Sequence, residues 1–567
     1  MSEIRISVPF YPDDYIFMPA CCYNGNRFLS LPKKYPPMFT PEEASVDMPT
    51  VITDVPRLQE DGSGKIEVTS GDAAVPCIGV YSPTRWKGWL LFTIQEINGR
   101  NIGLAYENGE MILTWPARRE RIYTGFAMHD NPEPYVPAEA EIPHKLLQFS
   151  CNSMEQFYEI FFRNRKIMGM DDTMPEVLSH EEQFAVQREK YNTMNWRENG
   201  EFYGVGTIDS SRFQVWQPGW VGGAMATYAF LKLGGPLEKE RSLKTLRHLF
   251  RLQGQSGLFY GGCDKDLTPF SDGFETPGTE NWTLIRKSAD CLFFVLRQFE
   301  LLDAVPADLE ENIRRCADAF VKMWRKYGQL GQFADAETGE IAAGGSASGG
   351  IASAGLVLAY RYFGDPAYLE AAEALGTYYY HAYVQKGYTT GGPGEILQCP
   401  DSESAFGLLE SYVWLYDETG NNTYLRYAET TAHLCSSWVV SYNYHFPETS
   451  EFGRLGMKTI GSVFANVQNK HSAPGICTLS GTSLRKLYEW TGDKAYLDLF
   501  REITETISQY MSTENRPICS TAGQKLPAGF ICERVNMSDW ETQKWVGGVF
   551  NGSCWCEVSN LLVLSDM

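Results

Sequence analysis

Two different hydrophobic periods divide the chain. Up to about residue 130, apolar and polar positions alternate in short runs such as GKIEVTSG, PCIGVYSP and GWLLFTIQEI, which Gly and Pro interrupt. Such alternation is typical of β-strands that bury one face. After Pro143 the apolar positions recur with the period of an α-helix, in long runs. The pattern predicts a β-rich, sandwich-like domain over residues 1–130 and a helical domain over residues 151–567.

The segment between these two regions is rich in proline. Residues 131–150 include NPEPYVPAEAEIP, with prolines at positions 132, 134, 137 and 143. Proline-rich chains are extended and stiff. We therefore expect residues 131–150 to form a linker.

One turn motif recurs within the helical region. GDPAYL begins at Gly364, GNNTYL at Gly420 and GDKAYL at Gly492, and each separates two helical patterns. Glycine accepts the left-handed conformation that ends a helix, and Asp or Asn caps the next one. The motif predicts a series of αα-hairpins.

The predicted helices are of two alternating kinds. Those of the first kind are apolar on most sides, and we expect them to begin near Gly219, Glu280, Ser348, Asp401, Ser462 and Val546. Those of the second kind are amphipathic, and we expect them over about residues 151–193 (as one helix or as two), 236–253, 306–327, 366–386, 422–442 and 494–511. A helix that is apolar all round is buried, and one with a polar face lies outside. Six such hairpins predict a mainly α fold, an (α/α)6 toroid preceded by the β-sandwich-like domain. An open solenoid would also repeat, but the stop at six favours a closed ring.

Composition narrows the possible partners. The formal net charge of −21 disfavours nucleic acid and anionic membrane surfaces. The 14 Trp, 31 Tyr and 31 Phe suit stacking on sugars, although helical toroids also use aromatic side chains for packing. The 14 cysteines show neither zinc-site nor disulfide spacing, so we expect buried thiols. No cofactor is implied, although rim carboxylates and amides could hold calcium.

The N-terminal stretch MSEIRISVPFYPDDY has no apolar segment of the kind found in signal peptides. No apolar run reaches the length of a membrane span. We expect a cytoplasmic protein without a membrane partner, and a homo-oligomer is possible.

The inner-helix starts of a toroid share one rim, at which the positive ends of the helix dipoles meet. In this chain the segments before those starts are rich in carboxylates, amides and Trp, whereas the opposite helix ends are ordinary capping turns. We therefore expect the active site at this rim.

Carboxylates at the rim suggest glycoside hydrolysis, which uses one carboxyl group as proton donor and another as base or nucleophile. The candidates are Glu403, Asp401, Asp539, Glu541 and Glu280. Glu403 leads, with Asp539 or Glu541 as its partner. Structural roles compete with catalysis, because Asp401 is placed as a helix N-cap and Glu403 and Glu280 suit the first turn of a helix.

Sugar binding at the rim would use aromatic, amide and cationic side chains. The candidates are Trp216, Trp220, Trp282, Arg286, Gln468, Asn469, His471 and Trp540. Arginine is the better clamp for a substrate carboxylate. A lone histidine is more often structural than catalytic, but His471 shares its segment with several amides. His129 and Asp130 could reach the rim from the β-rich domain, depending on how that domain docks.

Residues from about 150 to 567, with their G-D-x-x-Y-L turns, resemble the six-hairpin glycosidase superfamily. The segments PDSESAFGLLESY, VQNKHSAPGICTLSG and NMSDWETQKWVGG, together with CCYNGNRF in the β-rich domain, resemble glycoside hydrolase family 154. That resemblance implies β-glucuronidase-type activity, exo-acting on glucuronic acid at glycan or oligosaccharide ends. The missing export signal suggests imported oligosaccharides as substrates. The site residues above rest on the rim and not on this resemblance.

Several other functions fit the same fold. A polysaccharide lyase would use Asn469, His471 and a tyrosine such as Tyr203, and an unsaturated-uronyl hydrolase would act on its products. A non-catalytic glycan-binding protein would have the aromatic rim without a close carboxylate pair. A sugar epimerase is less favoured, because it works with histidines and needs no β domain.

Overall fold

The computed structural model describes residues 2–53, 55–118, 139–169, 178–206, 215–538, 545–549 and 555–567. Within these ranges, no helix combines the length and the apolar character that crossing a membrane requires.

The N-terminal part is a sandwich of two antiparallel four-stranded sheets, in the orders β1-β11-β10-β5 and β12-β7-β6-β2. The short strands β3 and β4 pair in parallel, and β8 pairs with β9. The strands are β1 Ser2–Ser7, β2 Tyr15–Phe17, β3 Leu29–Ser30, β4 Val51–Ile52, β5 Lys65–Thr69, β6 Cys77–Ser82, β7 Lys87–Thr93, β8 Glu96–Ile97, β9 Arg100–Asn101, β10 Gly103–Glu107, β11 Glu110–Trp115 and β12 His144–Ser150.

The second sheet buries both of its faces. On one face, Val80 and Leu91 pack against Leu104 and Leu113 of the first sheet. On the other face, Leu90 and its neighbours join the core of the helical part. Because side chains alternate between the two faces, burial on both sides explains the continuously apolar strand β6. The sandwich is thereby docked on the helices.

An aromatic cluster makes this docking contact. Phe17 of β2 packs on Phe157 and Phe161, with ring centroids 5.9 and 5.0 Å apart. Phe92 of β7 stacks on Phe161 at 6.4 Å. The two phenylalanines that the sheet contacts lie on the first helix of the helical part.

The prediction that residues 131–150 form a linker is wrong at the C-terminal end of this range. Residues 144–150 form strand β12, which pairs along its whole length with β7. Leu147 and Phe149 are spaced by two and pack against the main core, which gives this stretch a strand pattern that the preceding prolines obscured.

The remainder of the described chain is mainly helical. Its helices are α1 Met154–Asn164, α2 His180–Lys190, α3 Ala226–Leu233, α4 Pro236–Phe250, α5 Ile285–Phe299, α6 Ala307–Tyr327, α7 Ala352–Phe363, α8 Pro366–Ala382, α9 Ser402–Thr419, α10 Asn422–Cys435, α11 Glu451–Leu455, α12 Thr482–Thr491, α13 Lys494–Glu505 and α14 Trp555–Asp566. Short strands lie in the loops: β13 Trp196–Arg197, β14 Phe202–Tyr203, β15 Gly262–Cys263, β16 Pro269–Phe270, β17 Trp282–Leu284, β18 Phe333–Asp335, β19 Ile341–Ala343, β20 Val463–Phe464 and β21 Ser472–Ala473.

The helices form a closed double ring. The inner ring is α3, α5, α7, α9, α12 and α14, and each of these helices packs against an outer partner, namely α4, α6, α8, α10, α13 and α2. Helix α14 packs against α3, which closes the circle. The fold is the predicted (α/α)6 toroid with an N-terminal β-sandwich.

The recurring turns have the predicted geometry. Each first helix ends at a glycine with φ between 62 and 72°, namely Gly364, Gly420 and Gly492. The next residue accepts a hydrogen bond at the start of the second helix through its side chain, namely Asp365, Asn421 and Asp493. The αα-hairpin prediction is confirmed at all three turns.

Several inner helices begin later than the sequence predicts. The largest difference is at α12, which begins at Thr482 and not near Ser462. The intervening residues form β20, β21 and tight turns, and most of them are buried. A buried apolar loop has the composition of a buried helix, so the apolar pattern alone does not separate the two.

Asp566 links the ring at its closure. Its carboxylate accepts hydrogen bonds from Arg297 of α5 at 2.8 Å, from Ser480 at 2.7 Å and from Tyr228 of α3 at 3.1 Å. Arg485 of α12 donates to its backbone carbonyl at 2.8 Å. One residue of α14 thus contacts three other inner-ring segments.

Candidate active site

A cavity of about 420 Å3 lies where the chain enters the inner helices. Two of its lining residues, Tyr35 and Pro36, come from the N-terminal part. Its other lining residues precede or begin inner helices of the toroid: Gln217, Trp220, Val221, Asp272, Phe274, Glu395, Glu403, Ala465, Asn469, His471, Cys477, Glu533, Arg534 and Trp555. Of the predicted site residues, the structure brings Trp220, Glu403, Asn469 and His471 together here, with Arg286 in direct contact with Glu403.

Asp401 is the N-cap of α9. Its Oδ1 accepts hydrogen bonds from the Ser404 backbone N–H at 2.7 Å and from the Ser404 hydroxyl at 2.9 Å. Its Oδ2 accepts from the Gly392 N–H at 3.1 Å. Burial raises the pKa of this carboxyl group to about 6, although these hydrogen bonds oppose the rise. Asp401 does not line the described cavity, and its contacts are those of a cap.

Glu403 lies in the first turn of α9 and presents two different oxygens. Oε2 accepts hydrogen bonds from Trp220 Nε1 at 3.1 Å and from the guanidinium of Arg286. Among the described residues Oε1 has no hydrogen-bond donor, and Glu403 lines the cavity. One oxygen of this carboxylate is therefore anchored by two donors, and the other is not.

Arg286 is buried and held from several sides. Its Nε lies 3.4 Å from Oδ2 of Asp290, and another of its nitrogens donates to Thr478 Oγ1 at 3.0 Å. The Trp220 backbone N–H also donates to Asp290, at 2.9 Å. This network fixes the guanidinium on which Glu403 rests.

Glu395 is a second cavity carboxylate, which sequence reasoning missed. Its Oε1 accepts a hydrogen bond from Asn469 Nδ2 at 3.4 Å, whereas its Oε2 is buried and has no hydrogen-bond partner among the described residues. Burial raises its pKa from 4.5 to about 7. The only sequence signal for it is a charged residue in the loop GGPGEILQCP, six residues before the predicted helix start at Asp401.

Arg534 and His471 line the same cavity. Burial raises the pKa of Glu395, and the positive charge of Arg534 opposes that rise; the same charge also lowers the pKa of His471. Burial is the larger effect on His471 and brings its pKa to about 3, which leaves a neutral imidazole. Sequence reasoning also missed Glu533 and Arg534, because the predicted site residues before the last inner helix began only at Asp539.

Two of the tryptophans predicted to bind sugar lie in the core. Trp216 is fully buried and packs edge-on against His248, with ring centroids 5.0 Å apart. Trp282 lies in β17 and packs against Phe333 at 6.3 Å. Neither lines the described cavity: Trp216 forms a β-bridge with Cys263, and Trp282 pairs with Asp335 of β18.

Glu280, one of the catalytic candidates, does not line the described cavity. Helix α5 begins only at Ile285, after strand β17, so Glu280 lies in an exposed turn and accepts a hydrogen bond from the Gly278 N–H at 2.9 Å. Gln468 is buried beside Cys399 and does not line the described cavity. Tyr203, the lyase candidate, donates to Asn192 Oδ1 at 2.8 Å and is likewise buried elsewhere.

Asp539, Trp540 and Glu541 lie outside the described residues, as do His129 and Asp130. Their predicted roles stay predictions. The described residues contain no group of three or more His, Cys, Asp and Glu side chains placed to hold a metal ion.

No family model matches the chain, and no curated protein matches it. Solved structures similar to it include a D-mannose isomerase, with 14% identity over 68% of this chain and 95% of that chain at a TM-score of 0.45. A cellobiose 2-epimerase from Bacillus thermoamylovorans B4167 has 11% identity over 68% and 97%, at 0.46. A family 76 glycoside hydrolase from a bovine Bacteroides thetaiotaomicron strain has 10% identity over 85% and 96%, at 0.45. Because these identities are low, the function is inferred from the cavity itself.

Proposed function

We propose that the protein is a glycoside hydrolase that removes a terminal uronic acid, in the manner of a β-glucuronidase, from glycans or oligosaccharides. The observation that carries this proposal is the presence of two carboxyl groups, Glu395 and Glu403, on one cavity in different electrostatic surroundings. Glycoside hydrolysis needs one carboxyl group that gives a proton and one that is ionised.

Glu395 is the proton donor in this proposal. With a pKa of about 7, roughly half of the molecules carry the proton at neutral pH. A donor acts best when its pKa is close to the working pH. The hydrogen bond from Asn469 positions the group without delivering a positive charge to it.

Glu403 is the ionised partner. The ion pair with Arg286 and the hydrogen bond from Trp220 hold negative charge on Oε2 and orient Oε1 for a base or nucleophile role. Anchoring one oxygen in this way fixes the geometry of the other before substrate arrives.

The other residues that line the cavity suit a uronic acid as the ligand. Arg534 offers a guanidinium, whose planar fork matches a carboxylate. Asn469 and the neutral His471 can exchange hydrogen bonds with sugar hydroxyls. The aromatic rings of Trp220 and Tyr35 supply flat surfaces for the sugar ring.

The alternatives find less support. A lyase needs a base near neutral pH, whereas the pKa of His471 is about 3 and Tyr203 is buried away from the cavity. A purely glycan-binding protein has no need of a carboxyl group whose pKa is raised to about 7.

A panel of aryl glycosides that includes a β-glucuronide tests the proposal. We expect the wild type to release the aryl group from the β-glucuronide. In Glu403→Gln and Glu395→Gln we expect kcat to fall about 10²-fold or more. Glu280→Gln is the matched control, because the same change is made in an exposed turn. Melting curves establish that the variants fold. Full turnover in both cavity variants, or no hydrolysis of any glycoside, would remove the proposed roles, and an unsaturated uronate product would indicate a lyase. That the protein is cytoplasmic and acts on imported oligosaccharides stays a prediction. Cell fractionation tests the location.

A further inference from the structure

The N-terminal part extends onto the toroid between β3 and β4. We call residues 31–50, LPKKYPPMFTPEEASVDMPT, the rim segment. Its side chains Met38, Phe39 and Met48 are buried in a cluster with Leu284 and Leu397 of the helical part. Burying three large apolar side chains stabilises this contact through the hydrophobic effect. The rim segment is therefore anchored on the toroid.

Backbone hydrogen bonds hold the rim segment at its C-terminal end. The Gly344 N–H donates to the Ser45 carbonyl at 2.9 Å. Just beyond the segment, the Gln398 N–H donates to the Val51 carbonyl and the Val51 N–H donates to Oε1 of the Gln398 side chain, both at 2.8 Å. Gln398 belongs to the loop that carries Glu395, so the rim segment and that cavity loop are tied together.

The rim segment also supports the aromatic wall of the cavity. Trp220 lines the cavity and packs against the cluster that contains Met38 and Phe39. Tyr35 and Pro36, immediately before these buried anchors, line the cavity themselves. Trp220 in turn donates a hydrogen bond to Glu403, so only Trp220 lies between the rim segment and the proposed catalytic carboxylate.

The size of the cavity fits this arrangement. A volume of about 420 Å3 is at the lower end of the range for ligand sites, roughly 300–1,000 Å3. Such a volume accommodates a ligand of one or two sugar rings. A polymer bound at an internal linkage needs a groove that continues past the reacting bond on both sides.

We propose that the rim segment is the wall that restricts this enzyme to chain ends, and that Tyr35 contacts the terminal sugar. The inference rests on the proposed function for the reaction, but it assigns selectivity to a segment outside the toroid. It explains why the N-terminal sandwich is docked on this fold, since the wall is an extension of that sandwich.

The test compares Tyr35→Ala, Tyr35→Phe and Lys34→Ala. Lys34 is the matched control, because it is the exposed neighbour of Tyr35 and does not line the described cavity. For each protein, kcat and KM are measured on an aryl β-glucuronide, and the products from a uronate-containing oligosaccharide are sized. Equilibrium binding of free glucuronic acid is measured in parallel, which reports on the wall without any turnover.

We expect Tyr35→Ala to raise KM and the dissociation constant of glucuronic acid by about tenfold, the value of one lost aromatic contact, with kcat changed much less. Tyr35→Phe should retain wild-type values within about twofold, because the ring remains. We also expect Tyr35→Ala to release products longer than one sugar, which the wild type does not.

Two results separate the possible failures. If the wild type hydrolyses the glycoside but Tyr35→Ala matches Lys34→Ala in KM, in binding and in product size, the wall is refuted and the hydrolase proposal stands. If the wild type binds glucuronic acid without hydrolysing anything and Tyr35→Ala weakens that binding, the contact stands and the reaction is refuted. A wild type that neither binds nor hydrolyses overturns both proposals.

Discussion

Glu395→Gln is the most informative single change, because the surroundings of Glu395 oppose its charge. The pKa of this group rises from 4.5 to about 7 on folding, chiefly through burial. A rise of about 2.5 pH units corresponds to roughly 3 kcal/mol. The folded protein holds this proton more tightly than the unfolded chain does. The free energy of unfolding therefore falls as the pH rises from 4.5 to 7, and the whole cost is present above 7.

Glutamine has no proton to lose, so the variant escapes this cost. We expect the stability of Glu395→Gln, relative to the wild type, to increase between pH 4 and pH 8. Water in the cavity screens the charge, so the increase should be about 1–3 kcal/mol. At about 2.1 cal/mol/K per residue, the unfolding entropy of 567 residues converts each kcal/mol into roughly 1 °C of melting temperature.

Scanning calorimetry of both proteins across this pH range measures the difference directly, since other titrating groups are common to both and cancel. In parallel, kcat/KM of the wild type should fall about tenfold per pH unit above 7, where the donor loses its proton. A melting-temperature difference that stays constant from pH 4 to pH 8 would refute the raised pKa. An activity profile flat through pH 9 would refute the donor role.

Other changes address the cap, the ring closure and the cavity wall. Asp401→Asn should keep activity but lose about 1–3 kcal/mol of unfolding free energy in denaturant titrations, because one of two accepting oxygens becomes an NH2 donor that faces a buried donor. Asp401→Ala should lose about 0.5–2 kcal/mol or more, because it removes the cap. A folded Asp401→Asn with activity reduced by orders of magnitude would make Asp401 catalytic. Asp566→Ala should lower the free energy of unfolding by about 3–5 kcal/mol, because it leaves the buried guanidinium of Arg297 without its ion pair. Asp417→Ala removes an exposed ion pair and should lower it by less than about 1 kcal/mol in the same titrations. Trp220→Phe should lower kcat because Glu403 loses a donor, whereas Trp216→Phe should affect only melting temperature, and equal kinetic losses in both would contradict the placement of the cavity.

The toroid could be predicted because its determinants are local. A glycine that accepts positive φ and a capping Asp or Asn recur at Gly364, Gly420 and Gly492, and helical periodicity follows each of them. Such signals act within a few residues and survive without tertiary information.

The cavity could be predicted only where a helix start fixes the side chain. Glu403 lies two residues after the N-cap Asp401, so its position is tied to α9. Glu395 and Arg534 lie in loops whose paths depend on distant contacts, and nothing in their neighbouring residues directs them to the cavity. Glu280 was misplaced for the same reason, since the pairing of β17 with β18 delays the helix that it was expected to open.

The closure of the ring through α14 has a consequence for how the protein is made. Helix α3 emerges from the ribosome long before α14, and at about 5–20 residues per second the delay amounts to tens of seconds. During that time the open arc exposes the apolar side of α3 against which α14 will pack. The ring therefore closes only after α14 has emerged, which makes this contact a late step in folding.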